Sequence, residues 1–263
     1  SKYVNGRVPI ERDHGGPGQG YVDDHGVVSF YNDSQYLDIV HIDPWKAYPN
    51  LTDGIDKTLY HMNKIYDMNP DVLFEVGTEE AIRKFTPDEL NVLLKSASEY
   101  DFFDNIKYAV VQSGVGLDLG KRVNTGNFDL GRLKDFIRVC KYWSVLSKEH
   151  NGDYLTSEDV KVRFDAGLDA LNIAPEFGQL ETLCYLEHMG DDIEDYYKIC
   201  YDSKRWEKWV DGDFVPENNK EELIKICGHY VLSDKKFLEI KPDIDEKIKL
   251  RIKNKLGELS KCV

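Results

Sequence analysis

Three histidines, His14, His41 and His150, stand at the polar ends of short apolar runs and beside carboxylates. The runs end in Asp13-His14, His41-Ile42-Asp43 and Glu149-His150, and two more end in Glu75 to Glu79 and in Gln112-Ser113. Imidazole nitrogens and carboxylate oxygens are the donors of an open divalent metal site, and zinc suits such a mixed set. His14 and His150, with Glu75 or His41, are therefore the expected ligands. Asp13, Glu79 and Glu149 are the candidate catalytic carboxylates, as general acid or base or as partners that orient ligands. His41, Asp43, Gln112, Ser113, Asp153 and Asn172 are placed to bind substrate hydroxyls. A hydrogen-bonded cluster that holds a sugar without metal accounts for the same residues about as well. Lys148, two positions before His150, shares its side of the strand. A desolvated lysine can form a Schiff base with a ketose, a role ranked below the metal. His25, His61, His188 and His229 are expected at the surface or as caps.

The elements that must carry these residues follow from the hydrophobic pattern. Six segments, 8–14, 37–43, 72–79, 108–114, 143–150 and 170–175, are β-branched or apolar runs that end in polar residues. Their starts lie roughly 25 to 36 residues apart, the length of a strand-loop-helix-loop unit. Between them run helical stripes: Ile55, Leu59, Met62 and Ile65; Leu90, Leu93 and Leu94 behind the capping box Thr86-Pro87-Asp88-Glu89; and Leu130, Leu133, Phe136, Ile137 and Cys140. Val160 and Phe164 follow Thr156-Ser157, and Leu180, Leu183, Cys184 and Leu186 follow the last strand. Alternating strands and helices require parallel strands with helical crossovers. Gly15-Gly16-Pro17-Gly18-Gln19-Gly20 does not fit the dinucleotide fingerprint of a doubly wound sheet, which leaves the barrel. In a barrel the C-terminal strand ends form the active site, where these ionisable groups collect. Ser113-Gly114-Val115-Gly116 and Ala174-Pro175-Glu176-Phe177-Gly178 read as connectors that can also hold a phosphate on backbone amides. The pattern changes near Asp191, so the expected organisation is a barrel over 1–190 and a C-terminal helical appendage over 191–263, packed on it.

Composition narrows the function classes. The 263 residues are 41% hydrophobic and 12% aromatic, as in a globular protein, and the net charge is −14. That charge argues against nucleic acid and anionic membrane, though not against a phosphorylated substrate held by local groups. No apolar run is long enough to span a bilayer, and no secretory signal opens the sequence. Five scattered cysteines form no Cys-x-x-Cys pair and fit a reducing cytoplasm, mostly as small buried hydrophobes.

The order and wording of the strand ends resemble the accessory-subunit family of tagatose-bisphosphate aldolases (GatZ/KbaZ-like), relatives of the class II, metal-dependent ketose-bisphosphate aldolases. Asp13-His14-Gly15-Gly16-Pro17 is similar to its Asp-His-x-Gly-Pro, His41-Ile42-Asp43 to its His-Leu-Asp, and Gly77-Thr78-Glu79 to its Gly-Thr-Glu. Val110-Val111-Gln112-Ser113-Gly114-Val115 resembles Val-Val-Gln-x-Gly-Val. Glu149-His150-Asn151-Gly152-Asp153-Tyr154 is one residue shorter than Glu-x-His-x-x-Asp-Tyr. Asn172-Ile173-Ala174-Pro175 stands for Lys-Val-Gly-Pro, and Leu232-Ser233-Asp234-Lys235 for Leu-Ser-Asp-Arg. The resemblance implies a TIM-type (β/α)8 barrel in which the Asp13-His14 strand is the third of eight. Two strands are then expected upstream of Ser1, or else a partner completes the sheet. Asn172 stands near where catalytic class II aldolases have a metal-ligand histidine. The implied function is a sugar-phosphate aldolase acting on a ketose (bis)phosphate through a metal-stabilised enediolate. The alternatives are a non-catalytic subunit that stabilises a partner aldolase, as the family's accessory subunit does, or a sugar isomerase or epimerase. Homo-oligomerisation is compatible with each.

Overall fold

All six apolar runs become strands of one parallel sheet. They are β1 (Glu11–Gly15), β2 (Ile39–Ile42), β3 (Leu73–Val76) and β4 (Ile106–Val111), then, after a hairpin of β5 (Val115–Asp118) and β6 (Val123–Gly126), β7 (Leu146–Glu149) and β8 (Ala170–Leu171). The hairpin stands where the sequence suggests only a small-residue turn. This computed structural model describes residues 8–20 and 26–262, so the expectation for His25 lies outside the described residues.

The sheet order is β1-β2-β3-β4-β7-β8. Strands laid side by side in chain order are the winding of a barrel, whereas a doubly wound sheet reverses at a switch point. The sheet also curls. On a flat sheet β1 and β7 would lie about 19 Å apart, at about 4.8 Å for each of the intervening steps. Yet Glu11 Oε2 lies 2.9 Å from Lys148 Nζ, a contact that only curvature allows.

The chain forms two compact units. The first takes residues up to 115, 127–150 and 165–171, which includes the six-stranded sheet. Its helices are α1 (Val27–Tyr36), α2 (Leu51–Met68), α3 (Pro87–Ala97) and α4 (Leu130–Tyr142). Asn50 starts α2 by accepting from the amides of Thr52 and Asp53, and Thr86 and Glu89 close the expected capping box on α3. The anticipated stripes of α2, α3 and α4 are buried, except that Leu130 in the first turn of α4 is exposed. Val40, Ile42, Phe74 and Val76 pack in one apolar cluster with Leu59, Leu93 and Phe136 of the helices. His41 and Glu75, one residue out of phase, turn to the other face of the sheet. That face is where the polar chemistry collects.

The second unit comprises 116–126, 151–164 and 172–263, so the expected 190/191 line falls inside it. It holds most of the hairpin, α5 (Ser157–Asp165), α6 (Pro175–Leu186), α7 (Ile193–Ser203), α8 (Lys220–Cys227), α9 (Lys235–Ile240) and α10 (Asp245–Leu259). Its core joins Tyr196, Cys200, Leu223, Ile224, Cys227 and Phe237. On α6 the anticipated leucines are only half-buried, while Gln179 and Thr182 are buried. Gln179 keeps its place there because its amide donates to the carbonyls of Leu119, Lys225 and Ile226. The five cysteines are free, and all but Cys262 are buried.

Two of the histidines expected at the surface or as caps turn their rings inward. His61 is buried on α2, its ring 5.2 Å from that of Phe30. In the second unit, both ring nitrogens of His229 are buried without a hydrogen-bond partner among the described residues. Burial, reinforced by the cations of Lys208 and Arg205, pushes His229 from 6.5 down to about 4. An imidazole that the fold keeps neutral gains its proton on unfolding. Its contribution to stability is complete above the unfolded value of 6.5 and is lost as pH falls towards 4. The loss is at most about 3.5 kcal/mol at about 1.4 kcal/mol per unit. Urea unfolding at about pH 7 and about pH 4.5 should show His229→Leu losing less stability than the wild type. Equal losses would show that His229 is not the acid-sensitive group. His188 does cap as expected, its Nδ1 lying 2.8 Å from the Cys184 carbonyl.

Candidate metal centre

The site begins with an irregularity in β1. Arg12 pairs with Val40 and Gly15 with Ile42, so Asp13 and His14 together stand opposite His41 alone. One extra residue in a strand is a bulge, and it breaks the alternation that would send Asp13 and His14 to opposite faces. His14 completes the bend with φ of 45°, in the left-handed region. Gly16, at φ 140°, then lies so close to β2 that a Cβ there would meet the Asp43 carbonyl oxygen at 2.7 Å.

The result is a triangle of imidazoles from three strand ends. Ring centroids lie 4.8 Å apart for His14 and His41, 4.9 Å for His14 and His150, and 5.3 Å for His41 and His150. Each ring has one nitrogen engaged from behind. His14 Nδ1 lies 2.6 Å from Asp43 Oδ2, His41 Nε2 lies 3.0 Å from the Gly77 carbonyl, and His150 Nε2 lies 2.6 Å from Glu75 Oε1. The other three nitrogens converge on Asp13 Oδ1: His14 Nε2 at 3.9 Å, His41 Nδ1 at 3.5 Å and His150 Nδ1 at 3.9 Å, and His41 Nδ1 also accepts from the His14 backbone amide at 3.3 Å. Backing of this kind fixes tautomer and ring orientation in metal-binding histidines. Asp43 is itself held, accepting from Thr78 Oγ1 at 2.9 Å and from the Trp45 amide at 3.2 Å. Donor groups able to surround one ion are Asp13, His41 and His150, or His14, His41 and Asp43. Each set, two imidazoles and a carboxylate, offers the nitrogen and oxygen donors that a divalent ion of the zinc type takes.

The electrostatics point the same way. His41 is fully buried, which disfavours its charge, but Glu75, Asp13 and Asp43 overcome this and raise it from 6.5 to about 10. A field that holds a proton there also favours a metal cation. Burial likewise opposes ionisation of Asp13, and the three histidines outweigh it, holding the carboxyl below the usual range. Asp13 has 42% of its side chain exposed and His14 23%, against 0% for His41 and 3% for His150. Solvent therefore reaches the cluster from the Asp13 side.

Glu75, expected as a ligand with His41 as its alternative, is fully buried behind His150, while His41 contributes the third converging nitrogen. Its second oxygen receives Lys148, which also reaches Glu11. Burial opposes charge on Glu75, but His41 and His150 hold it well below the carboxylate range. Burial and the neighbouring Glu75 push Glu11 up to about 8. Lys148 is disfavoured by burial yet raised by Glu75 and Glu11, so the neutral amine needed for a Schiff base is suppressed.

Several of the remaining expected residues are engaged by backbone groups. Gln112 uses its whole amide on the loop after β3 and on Arg132 of α4. Its oxygen accepts from the Phe85 amide and from Arg132, and its nitrogen donates to the carbonyls of Thr78 and Arg83. That leaves no free donor or acceptor for a substrate hydroxyl. Ser113 is buried, and its carbonyl accepts from the Asp129 amide. Glu79 is half-buried in the turn after β3. Glu149 is buried on β7, on the opposite side of the strand from Lys148 by alternation. Asp153 and Asn172 belong to the second unit. There Asp153 Oδ1 accepts from the Ala174 and Glu176 amides and so caps α6, while the Asn172 carbonyl accepts from Gly152. Burial raises Asp153 from 3.8 to about 6. Thr78, inside Gly77-Thr78-Glu79, and Glu11, inside the first apolar run, are not among the expected site residues.

Solved structures share this arrangement of strands and helices. A probable tagatose 6-phosphate kinase from Sinorhizobium meliloti superposes with a TM-score of 0.59 at 15% identity, over 80% of this chain and 60% of its own. The glycerol-complexed fructuronate-tagaturonate epimerase UxaE from Cohnella laeviribosi gives 0.58 at 9% identity, over 99% of this chain and 69% of its own. The fold is common to all three. The chain thus spans about 60% of the Sinorhizobium protein's length. No family model matches the sequence, and no curated protein does. No helix among the described residues is long and apolar enough to cross a membrane.

Proposed function

We propose that this chain is a metal-dependent enzyme of sugar metabolism that acts beside the carbonyl of a ketose or ketose phosphate, with aldol cleavage or formation as the leading reaction. The observation that carries the proposal is the convergence of three rear-held imidazoles on Asp13. His14, His41 and His150 would hold the ion, with Asp13 beside it. A divalent ion there would supply Lewis acidity toward a sugar carbonyl. Asp13, on the solvent side and the most exposed carboxylate facing the rings, would take the proton from the substrate as a carboxylate. Asp43 and Glu75 keep the lone pairs of His14 and His150 turned inward, and Thr78 keeps Asp43 in place.

Epimerisation is the second reading, favoured by a likeness to the epimerase that extends over 99% of this chain. It uses the same residues and differs in whether a carbon–carbon bond breaks after the proton moves. The resemblance to the accessory subunits makes a non-catalytic partner of an aldolase the remaining alternative. Metal analysis of the purified protein, followed by an NMR screen of ketose phosphates and hexuronates, separates the three. Stoichiometric zinc with retro-aldol products is the expected result. Interconversion without cleavage identifies the epimerase. A metal-free, inactive protein that copurifies with an aldolase supports the accessory role and overturns the proposal.

A further inference from the structure

Behind the imidazoles lies a buried ion cluster that the proposed chemistry does not itself use. Lys148 has only 10% of its side chain exposed, and its ammonium is shared by Glu11 on β1 and Glu75 on β3. The ring of Tyr108 on β4 lies 5.3 Å from the same ammonium. Glu75, with no exposed surface, faces two ways: Oε2 to Lys148 and Oε1 to His150 Nε2 at 2.6 Å. A buried carboxylate without a counter-charge is costly, and a lysine anchored on the same strand as His150 supplies one. The ammonium can only donate, so it occupies Oε2 and leaves Oε1 for the imidazole N–H. With its Nε2 proton thus engaged, His150 presents Nδ1 toward Asp13.

We infer that Lys148 is a positioning residue for the metal centre: by pinning Glu75 between itself and His150, it orients His150 as a ligand. The inference rests on the metal reading above and assigns the lysine a role distinct from imine chemistry. Lys148 touches neither metal nor substrate. It acts through Glu75 alone, so its effect must vanish when Glu75 can no longer transmit it.

The test is a double-mutant cycle read by metal affinity, with Zn2+ titrated against a chromophoric chelator and Co2+ absorption reporting the ligand field. Lys148→Met should weaken metal binding by about 10- to 100-fold, as loss of a partner behind a ligand does, and alter the Co2+ spectrum. Glu75→Gln should weaken it comparably. Lys148→Met/Glu75→Gln should bind no more weakly than Glu75→Gln alone, because the two residues form one chain of contact. The double variant buries no unpaired charge from this pair, so its comparison with Glu75→Gln stands even if Lys148→Met alone does not fold. Wild-type affinity in Lys148→Met, or a double variant clearly weaker than Glu75→Gln, overturns the inference and leaves the metal reading intact. A wild-type protein that binds neither ion overturns the metal reading, and the inference with it.

Discussion

Replacing His150 with alanine is expected to lower zinc affinity on the order of a hundredfold or more and to abolish turnover, since losing only a partner behind a ligand costs about 10- to 100-fold. His150 contributes one of the three nitrogens that converge on Asp13 and is 3% exposed, so water does not readily replace it in kind. The fold should survive. The strands are held by apolar residues such as Phe74, Val76 and Val111, which pack independently of the imidazole. The structural cost is the lost partner of Glu75 Oε1, about 3 kcal/mol, the upper end for a buried acceptor left unsatisfied because this one is charged. Chelator competition and a denaturation curve on the same preparation check both halves. His41→Ala should behave similarly. Unchanged zinc affinity in a folded His150→Ala protein would remove the ring from the metal centre.

Gly16→Ala carries the second large effect, and it arises from the backbone. The residue sits at φ 140°, which a Cβ disfavours, and that Cβ would lie 2.7 Å from the Asp43 carbonyl oxygen and 3.0 Å from its carbon. Neither atom is a flexible side-chain tip. The β1 end is also tied to β2 by the Asp43 amide donating to the Gly15 carbonyl at 2.8 Å. Backbone strain and overpacking together should cost about 2–4 kcal/mol. Parting the two strand ends would also draw Asp43 from His14 Nδ1, so metal affinity should fall by about tenfold. Gly18→Ala is the control. It is also at positive φ, 78°, but its nearest neighbour lies 3.8 Å from the added carbon. It should cost about 1 kcal/mol and leave metal binding unchanged. Equal losses at both positions would assign the effect to φ alone.

Much of this was legible in the residue order. Apolar runs at regular spacing became parallel strands, the Thr86 box and the Ile55 to Ile65 stripe became helices, and the histidines gathered at strand ends. These features depend on local periodicity and capping, which a chain carries within a few residues. The helix α1 and the β5–β6 hairpin escaped because mixed aromatic and polar stretches, such as Val27–Tyr36, show no clean period.

Only the tertiary structure decided which partner each polar group faces. Asp13 and His14 point the same way because of a bulge in their pairing with β2, a property of two strands rather than one. Lys148 meets Glu11 across 137 positions because the sheet curls, which sets the lysine against two carboxylates. Gln112 and Asp153, chosen as substrate contacts by type, are committed to backbone groups of loops that come near only on folding. The sequence by itself determined which chemical groups would be present at the strand ends. Register, curvature and hydrogen-bond saturation determined which of them turn toward a common centre, because each depends on atoms distant along the chain.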